Sequence, residues 1–246
     1  MSKGAFLFKG EKHVKDRAMT SAIIVAAGQG RRMGVQTKKQ FLILEGKEIL
    51  AHTVECFEKS TEIQEIILVT GKEDLEDVQG LVKKYGWNKI SAVVIGGRER
   101  QDSVSYGIDA VSPQTEIVLI HDGVRPFVTE EMICRSIVCA KEVGACVLGM
   151  PAKDTIKICD GQGVVQQTPE RKNLWYIQTP QVFRKAVLKK AYDKAKAEDF
   201  LGTDDASVVE FYGAKVKVIE GSYRNIKITT KEDLLLGACF LREGTE

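Results

Sequence analysis

Ala26-Ala27-Gly28-Gln29-Gly30-Arg31-Arg32-Met33-Gly34, with Lys39 a few residues on, follows the apolar run Ala22-Ile23-Ile24-Val25. The run reads as a parallel strand buried on both faces. The glycines let the backbone approach a ligand closely and turn its N–H groups toward an anion. Two arginines and a lysine add full positive charges, so the stretch reads as a seat for a polyphosphate. Two better-known glycine loops do not fit. A dinucleotide fingerprint needs a glycine where Met33 stands and an acidic residue closing the second strand. Here Glu65-Ile66-Ile67-Leu68-Val69-Thr70 runs into Gly71-Lys72 instead. A Walker-type loop needs a lysine and a hydroxyl residue after its glycines, and Val35-Gln36 follow Gly34.

Outward from this loop, short apolar runs alternate with amphipathic segments. Strands are expected at 22–27, 65–70, 92–96, 116–121, 145–150 and 215–219, and helices at 47–58, 73–85, 101–111, 130–143, 184–197, 204–212 and 231–242. That alternation predicts an α/β fold, a mostly parallel, doubly wound, Rossmann-like sheet with helices on both faces. Ligands of such sheets bind at the carboxyl ends of the strands. One segment breaks the rhythm. Thr155 to Cys159 and Gly163 to Gln167 flank Asp160-Gly161-Gln162, which signals a β-hairpin. A lone hairpin buries little, so it is expected to protrude as an arm at about 152–173 and to find its partner surface elsewhere.

The chain has 246 residues, 36 Lys and Arg against 34 Asp and Glu, and a net charge of +2. That length suits one α/β domain, expected at 21–246. Without a global basic field, a general nucleic-acid binder is not expected. Six cysteines lack any paired spacing and only three histidines occur, which argues against a zinc site and for a reduced compartment. No uncharged stretch reaches membrane length, so the expectation is a soluble, cytoplasmic protein. Residues 1–20 are polar apart from Ala5-Phe6-Leu7-Phe8 and are read as a disordered extension.

Three further stretches close strands or open helices. Gly96-Gly97-Arg98-Glu99-Arg100-Gln101-Asp102-Ser103 would allow a flat base or sugar to approach, with Ser103 in the first turn of a helix; by itself it could equally be an ordinary capped helix start. His121-Asp122-Gly123-Val124-Arg125 puts a carboxylate at a strand end facing the phosphate loop, where it could hold Mg²⁺ together with phosphate oxygens. Arg125 could hold an anion bidentately, and His121 reads as structural. Asp204 and Asp205 at a helix start would be stabilising without further function, and Lys227 could be a solvated strand residue.

Taken together and in this order, Ala26-Ala27-Gly28-x-Gly30-x-Arg32-Met33, Lys39-Gln40, Arg100-x-Asp102-Ser103-Val104, His121-Asp122-x-x-Arg125-Pro126, Asp154-Thr155, Gln178-Thr179-Pro180-Gln181, Thr203-Asp204-Asp205-Ala206-Ser207 and Asn225-Ile226-Lys227 resemble the 2-C-methyl-D-erythritol 4-phosphate cytidylyltransferases. The resemblance covers about residues 21–242. It implies a nucleotidyltransferase domain that uses CTP in non-mevalonate isoprenoid biosynthesis. It puts the CTP phosphates on Ala26, Ala27, Gly28, Gly30, Arg31, Arg32 and Lys39, and the base and ribose near Gly96, Arg100 and Ser103. Asp122 and Arg125 would surround the reacting phosphates, with Asp122 the Mg²⁺ ligand. Thr155, Arg171, Thr179, Thr203 and Lys227 would hold the alcohol phosphate. Arg32, Lys39, Arg171 and Lys227 would be catalytic. The arm resembles one that crosses a homodimer, so Thr155 and Arg171 are expected to serve the neighbouring subunit.

One departure stands out: the family often has proline before the catalytic lysine, and here Lys38 stands there. An additional cation at that point could compete for the phosphates. The chemistry itself asks for no triad. A phosphomonoester has its second pKa at about 6 and is already an ionised nucleophile at neutral pH. What it needs is charge neutralisation. Two alternatives remain open at this level, a ribitol-5-phosphate cytidylyltransferase sharing the CTP half of the site, and a non-catalytic nucleotide-binding protein on the same scaffold.

Overall fold

The computed structural model describes residues 5–7, 19–28 and 38–244. Strand β1 (Ala5–Leu7) precedes β2 (Met19–Ala26), the hairpin of β3 (Ile43–Leu44) and β4 (Lys47–Glu48), and helix α1 (Ile49–Lys59). Then come β5 (Glu65–Thr70), α2 (Leu75–Tyr85), β6 (Ile90–Ile95), α3 (Arg100–Ala110), β7 (Thr115–Asp122), α4 (Glu130–Val143) and β8 (Ala145–Pro151). The arm carries β9 (Ile158–Cys159) and β10 (Val165–Gln167). The chain closes with β11 (Trp175–Arg184), α5 (Lys185–Ala197), α6 (Asp205–Tyr212), β12 (Lys217–Glu220) and α7 (Lys231–Arg242).

Eight strands form one sheet in the order β1-β6-β5-β2-β7-β11-β8-β12. From β6 to β7 all neighbours are parallel, as are β8 and β12. Alternate residues of each central strand serve opposite faces, as the pleat requires. Ile24, Ile66 and Leu68 join one core with Leu50, Phe57 and Met132, under α1, α2 and α4. Ile23, Ile67 and Val69 join another with Val104, Leu188 and Val209, under α3, α5 and α6. A third, small cluster of Leu44, Ile49, Phe127 and Ile228 seats α7. Because β2 lies between β5 and β7, the chain reverses its direction of travel across the sheet there. The carboxyl ends of β2, β5, β6 and β7 consequently open onto one crevice.

The doubly wound reading is correct, and the structure adds elements that it lacked. β11 is antiparallel to both β7 and β8, in the interior of the sheet. Pro180 hides it in the sequence, since a proline cannot donate to a ladder. Its register against β8 shifts between Ile177 and Gln181, and the proline sits in that interruption. Within the stretch expected to be disordered, Ala5–Leu7 pairs antiparallel with β6 and covers an otherwise open sheet edge, and Met19 and Thr20 already belong to β2. The expected helix at 47–58 starts at Ile49, because Lys47 and Glu48 pair back with β3.

The arm forms with shorter strands than expected. Asp160 Oδ1 accepts from the backbone N–H of Gln162 and of Val164 and so shapes the turn. Ile158, Val164 and Val165 on it are about half exposed. Among the described residues no helix is long and apolar enough to cross a membrane.

Two glycines give opposite predictions. A Cβ on Gly96 would lie 2.6 Å from Ser103 Oγ and 2.8 Å from Ala27 Cβ, so Gly96→Ala must force β2 and α3 apart. It should destabilise by about 1–3 kcal/mol, the usual result of overpacking. Gly80, exposed inside α2, has nothing within 4 Å of its would-be Cβ. Gly80→Ala should stabilise by about 0.8–1 kcal/mol through helix propensity alone. Urea midpoints decide it; equal midpoints for the two variants would contradict the close approach at Gly96.

Candidate active site

Asp122, the last residue of β7, sits at the floor of the crevice with its side chain only 10% exposed. Three cations converge on it. Lys227 Nζ is 2.8 Å from Oδ2, Arg125 Nε 3.7 Å from the same oxygen, and Arg100 Nε 3.5 Å from Oδ1. Burial alone would favour the neutral acid; Lys227, then Arg100 and Arg125, outweigh it and hold this carboxyl well below the usual range. Asp122 is therefore an anion at neutral pH. Lys227 reaches it because Ile226 and Ile228 on either side turn into the α7 core, so the alternation points Lys227 to the crevice. The backbone of Ile228 is pinned by its N–H donating to Val124 O at 2.9 Å.

Beneath Asp122 runs a directed chain of hydrogen bonds. Its backbone N–H donates to Thr179 Oγ1 at 3.1 Å, which lies 3.0 Å from His121 Nδ1, while His121 Nε2 lies 3.0 Å from Arg125 O. A carbonyl only accepts, so Nε2 carries the ring proton and the Thr179 hydroxyl donates to Nδ1. His121 is fully buried, and burial pushes its pKa down to about 4. It is a neutral strut, as its sequence position suggested. Thr179, expected to hold substrate, is 5% exposed and its hydroxyl serves this chain. The interruption in β11 is what brings it there. Asn225 extends the scaffold, with Nδ2 donating to Thr179 O at 2.9 Å and its carbonyl accepting from Arg125 Nη1 at 2.8 Å.

Arg100 opens α3 and has a second, stronger partner. Its Nη1 and Nη2 lie 3.0 and 2.8 Å from the two oxygens of Asp205, a bidentate pair. Asp205 is completely buried and also accepts from Tyr192 Oη at 2.6 Å. Burial works against the Arg100 charge, but Asp205 and then Asp122 outweigh it and raise its pKa. Arg100 thus couples α3, α6 and β7, which sequence alone could not reveal at a separation of 105 residues. Asp204 caps α6 as expected, accepting from Ser207 N–H at 2.8 Å, while Gln181 Oε1 accepts from Ala206 N–H at 2.9 Å. The exposed Thr203 precedes that cap. Ser103 is buried, its hydroxyl accepting from Gly97 N–H and donating to Glu99 O, both at 3.1 Å.

At the end of β2, Gln40 Nε2 donates to Ala26 O at 3.0 Å. That bond brings the turn Lys39–Phe41 next to the carboxyl end of β2. Gly30, Arg31 and Arg32 lie outside the described residues. Thr155 and Arg171 are exposed on the arm, and Arg171 Nη1 donates to Lys153 O at 3.0 Å rather than joining the Asp122 cluster. A separate cavity of about 320 Å³ between α4 and α7 is lined by Phe127, Met132, Arg135, Ser222, Arg224 and Phe240. It contains none of the converging cations.

No group of three or more His, Cys, Asp or Glu side chains able to hold a metal occurs among the described residues. Asp122 offers one ionised carboxylate surrounded by cations. Such a donor suits an ion that brings most of its ligands along as nucleotide phosphates and water, the habit of Mg²⁺.

The buried neutral His121 makes a pH prediction. Its folded pKa lies below the unfolded value, so its contribution is fully present above about pH 6.5 and is lost as pH falls toward about 4. Integrated over that window it amounts to about 3 kcal/mol. The stability difference between the wild type and His121→Asn should shrink by that amount between pH 7 and pH 4 in urea titrations. Parallel pH curves for the two proteins would mean that His121 can charge in the folded state.

The family model described as 2-C-methyl-D-erythritol 4-phosphate cytidylyltransferase matches residues 20–243. A protein of that name from Alkaliphilus metalliredigens is 50% identical over 224 residues, 91% of this chain and 93% of the relative. One from Caldanaerobacter subterraneus is 48% identical over 91% of this chain and 99% of its own length. The crystal structure of a 4-diphosphocytidyl-2C-methyl-D-erythritol synthase from Anaerococcus prevotii superimposes with a TM-score of 0.81 at 39% identity, covering 91% of this chain and 96% of the other. Together with the crevice at the carboxyl ends of β2 and β7, these likenesses identify the chain as a nucleotidyltransferase that belongs to the 2-C-methyl-D-erythritol 4-phosphate cytidylyltransferase family.

Proposed function

We propose that the protein transfers CMP from CTP to 2-C-methyl-D-erythritol 4-phosphate, releasing pyrophosphate, as a cytoplasmic enzyme of non-mevalonate isoprenoid biosynthesis. The observation that carries this reading is the composition of the crevice: cations gathered round one ionised carboxylate, with the adjacent histidine neutral, buried and bonded at both nitrogens. A site of this kind offers charge and no general base. That is what an ionised phosphomonoester nucleophile requires. Its oxygen attacks the α-phosphorus of CTP, a new P–O bond forms, the bond to the β-phosphate oxygen breaks, and pyrophosphate leaves.

In this reading Gly28, Gly30, Arg31, Arg32 and Lys39 bind the triphosphate, with Arg32 and Lys39 stabilising charge at the phosphorus. Gly96 and the start of α3 receive the base and ribose. Lys227 and Arg125 face the alcohol phosphate, with Thr203 at the rim. Asp122, together with the nucleotide phosphates, would hold Mg²⁺, which would supply neutralisation of the triphosphate charge. Ile158, Val164 and Val165 along the arm, and Trp175, Tyr176 and Ile177 at its root, are exposed. We place it across a homodimer, where Thr155 and Arg171 complete the neighbour's site.

Two experiments test this. CTP-dependent pyrophosphate release should be strong with 2-C-methyl-D-erythritol 4-phosphate and weak with ribitol 5-phosphate; the reverse order changes the substrate. Arg32→Ala and Lys39→Ala should each lower kcat on the order of a hundredfold or more, as loss of transition-state charge stabilisation does, far more than they weaken folding. Near-normal turnover in either would remove that residue from the chemistry.

The dimer has its own signature. Inactive Arg32→Ala and Arg171→Ala proteins, mixed under conditions of subunit exchange, should regain activity, because a hybrid carries one site with both defects and one with neither. No recovery despite demonstrated exchange would place Arg171 in its own subunit's site.

A further inference from the structure

Lys38, the cation that stands immediately before Lys39, does not face the crevice. Its Nζ lies 2.7 and 2.8 Å from the two oxygens of Asp74, and 3.5 Å from the exposed Glu73. Asp74 ends the turn after β5 and its side chain is only 6% exposed. The turn is shaped to admit this carboxylate, since a Cβ on Gly71 would come within 2.9 Å of Asp74 Oδ2. Gln40 ties the pair to β2: its Nε2 is 3.5 Å from Asp74 Oδ2 and 3.0 Å from Ala26 O. Residues on both sides of Lys39 are therefore anchored, Lys38 to Asp74 and Gln40 to Ala26.

We infer that Lys38 and Asp74 form a charge-cancelling latch, holding Lys39 at the carboxyl end of β2 and shielding the nucleotide phosphates from a buried carboxylate. Both are positioning residues for the CTP half of the site, and the inference rests on the reading of that half given above. A carboxylate buried as deeply as Asp74 is strongly unfavourable once its partner is removed. It contacts the side chain that holds Ala26, well inside the screening length of about 8 Å at physiological salt. Without Lys38 its charge would act directly against the triphosphate. Conversely, Asp74 occupies the Lys38 ammonium, which answers how an additional lysine can precede Lys39 without competing for phosphate. Burial works against the Lys38 charge, but Asp74 outweighs it and raises the pKa, so Lys38 stays charged. The backbone of Lys38, at φ −64° and ψ 142°, is one that proline also adopts. The lysine side chain thus adds a tether to a conformation that proline would fix covalently.

The test measures CTP affinity by calorimetry, CTP KM and kcat by turnover, and folding by thermal melts. Lys38→Ala should weaken CTP binding about tenfold, a size common for contacting pairs, and lower kcat as well, since Lys39 loses one of its two anchors. Lys38→Ala/Asp74→Asn should regain most of that affinity, because the unpaired charge is gone. Lys38→Arg, which keeps the ion pair, should stay close to the wild type. Should the truncation fail to fold, Lys38→Gln keeps a hydrogen bond without the charge and should show the same loss. Wild-type affinity in Lys38→Ala or Lys38→Gln, or a double variant no better than the single one, overturns the latch. A fall in melting temperature with unchanged CTP affinity would make the pair merely structural and overturns it as well. Absence of wild-type turnover would overturn the proposed reaction, whereas the calorimetric comparison needs no turnover and still decides the latch.

Discussion

Asp122 is a carboxylate that burial by itself would neutralise, and the surrounding architecture follows from keeping it charged. Three cations from three separate parts of the chain surround it: Arg100 from the start of α3, Arg125 from the turn after β7, and Lys227 from the segment before α7. Each must be delivered by packing. Lys227 depends on Ile226 and Ile228 entering the small core under α7. Arg125 depends on Asn225, itself held by Thr179 and Gln178. Arg100 depends on Asp205, which the α6 cap and Tyr192 fix in place. Removing any one support would leave a cation or the anion unbalanced in a poorly solvated site.

The same requirement explains the antiparallel strand in the middle of a mostly parallel sheet. β11 lies directly beside β7, so its side chains are the ones that can reach under Asp122. A regular ladder at this point would have used Thr179 for pleated packing. The interruption at Pro180 frees it to join the backbone of Asp122 to His121. His121 in turn fixes the carbonyl of Arg125. A neutral histidine suits that task because a charged one would add a fourth cation at a place where no anion is left to receive it.

The sequence made the fold class legible because Ile23-Ile24 and Ile66-Ile67-Leu68 are strands buried on both faces, which leaves continuous apolar runs with little ambiguity. The crevice was legible because Gly28, Gly96 and Asp122 each follow such a run. What was not legible depended on contacts between distant residues. Asp205 looked like an ordinary helix-start carboxylate, and only its pairing with Arg100 shows otherwise. Asp74 carries no local signal at all, and Gln40 was visible only beside Lys39 in a motif. Asn225 was visible only as a member of a motif. β11 was concealed by its proline, and β1 by its charged, polar surroundings. In each case the deciding partner lay on a different element of the fold.

A site dense in positive charge must also avoid repelling itself between turnovers, and the pairings divide its cations by how firmly each is held. Arg100 is bidentate to a carboxylate with no exposure at all. Lys38 is held by both oxygens of one almost as deeply buried. Neither can leave without stranding an anion, so both belong to the frame. Lys227 meets Asp122 through one short contact and its side chain is 38% exposed. An incoming phosphate can replace that contact at small desolvation cost, while Arg100 and Arg125 continue to compensate Asp122. The cation the site can release most easily is thus the one on the side where the alcohol phosphate is proposed to enter.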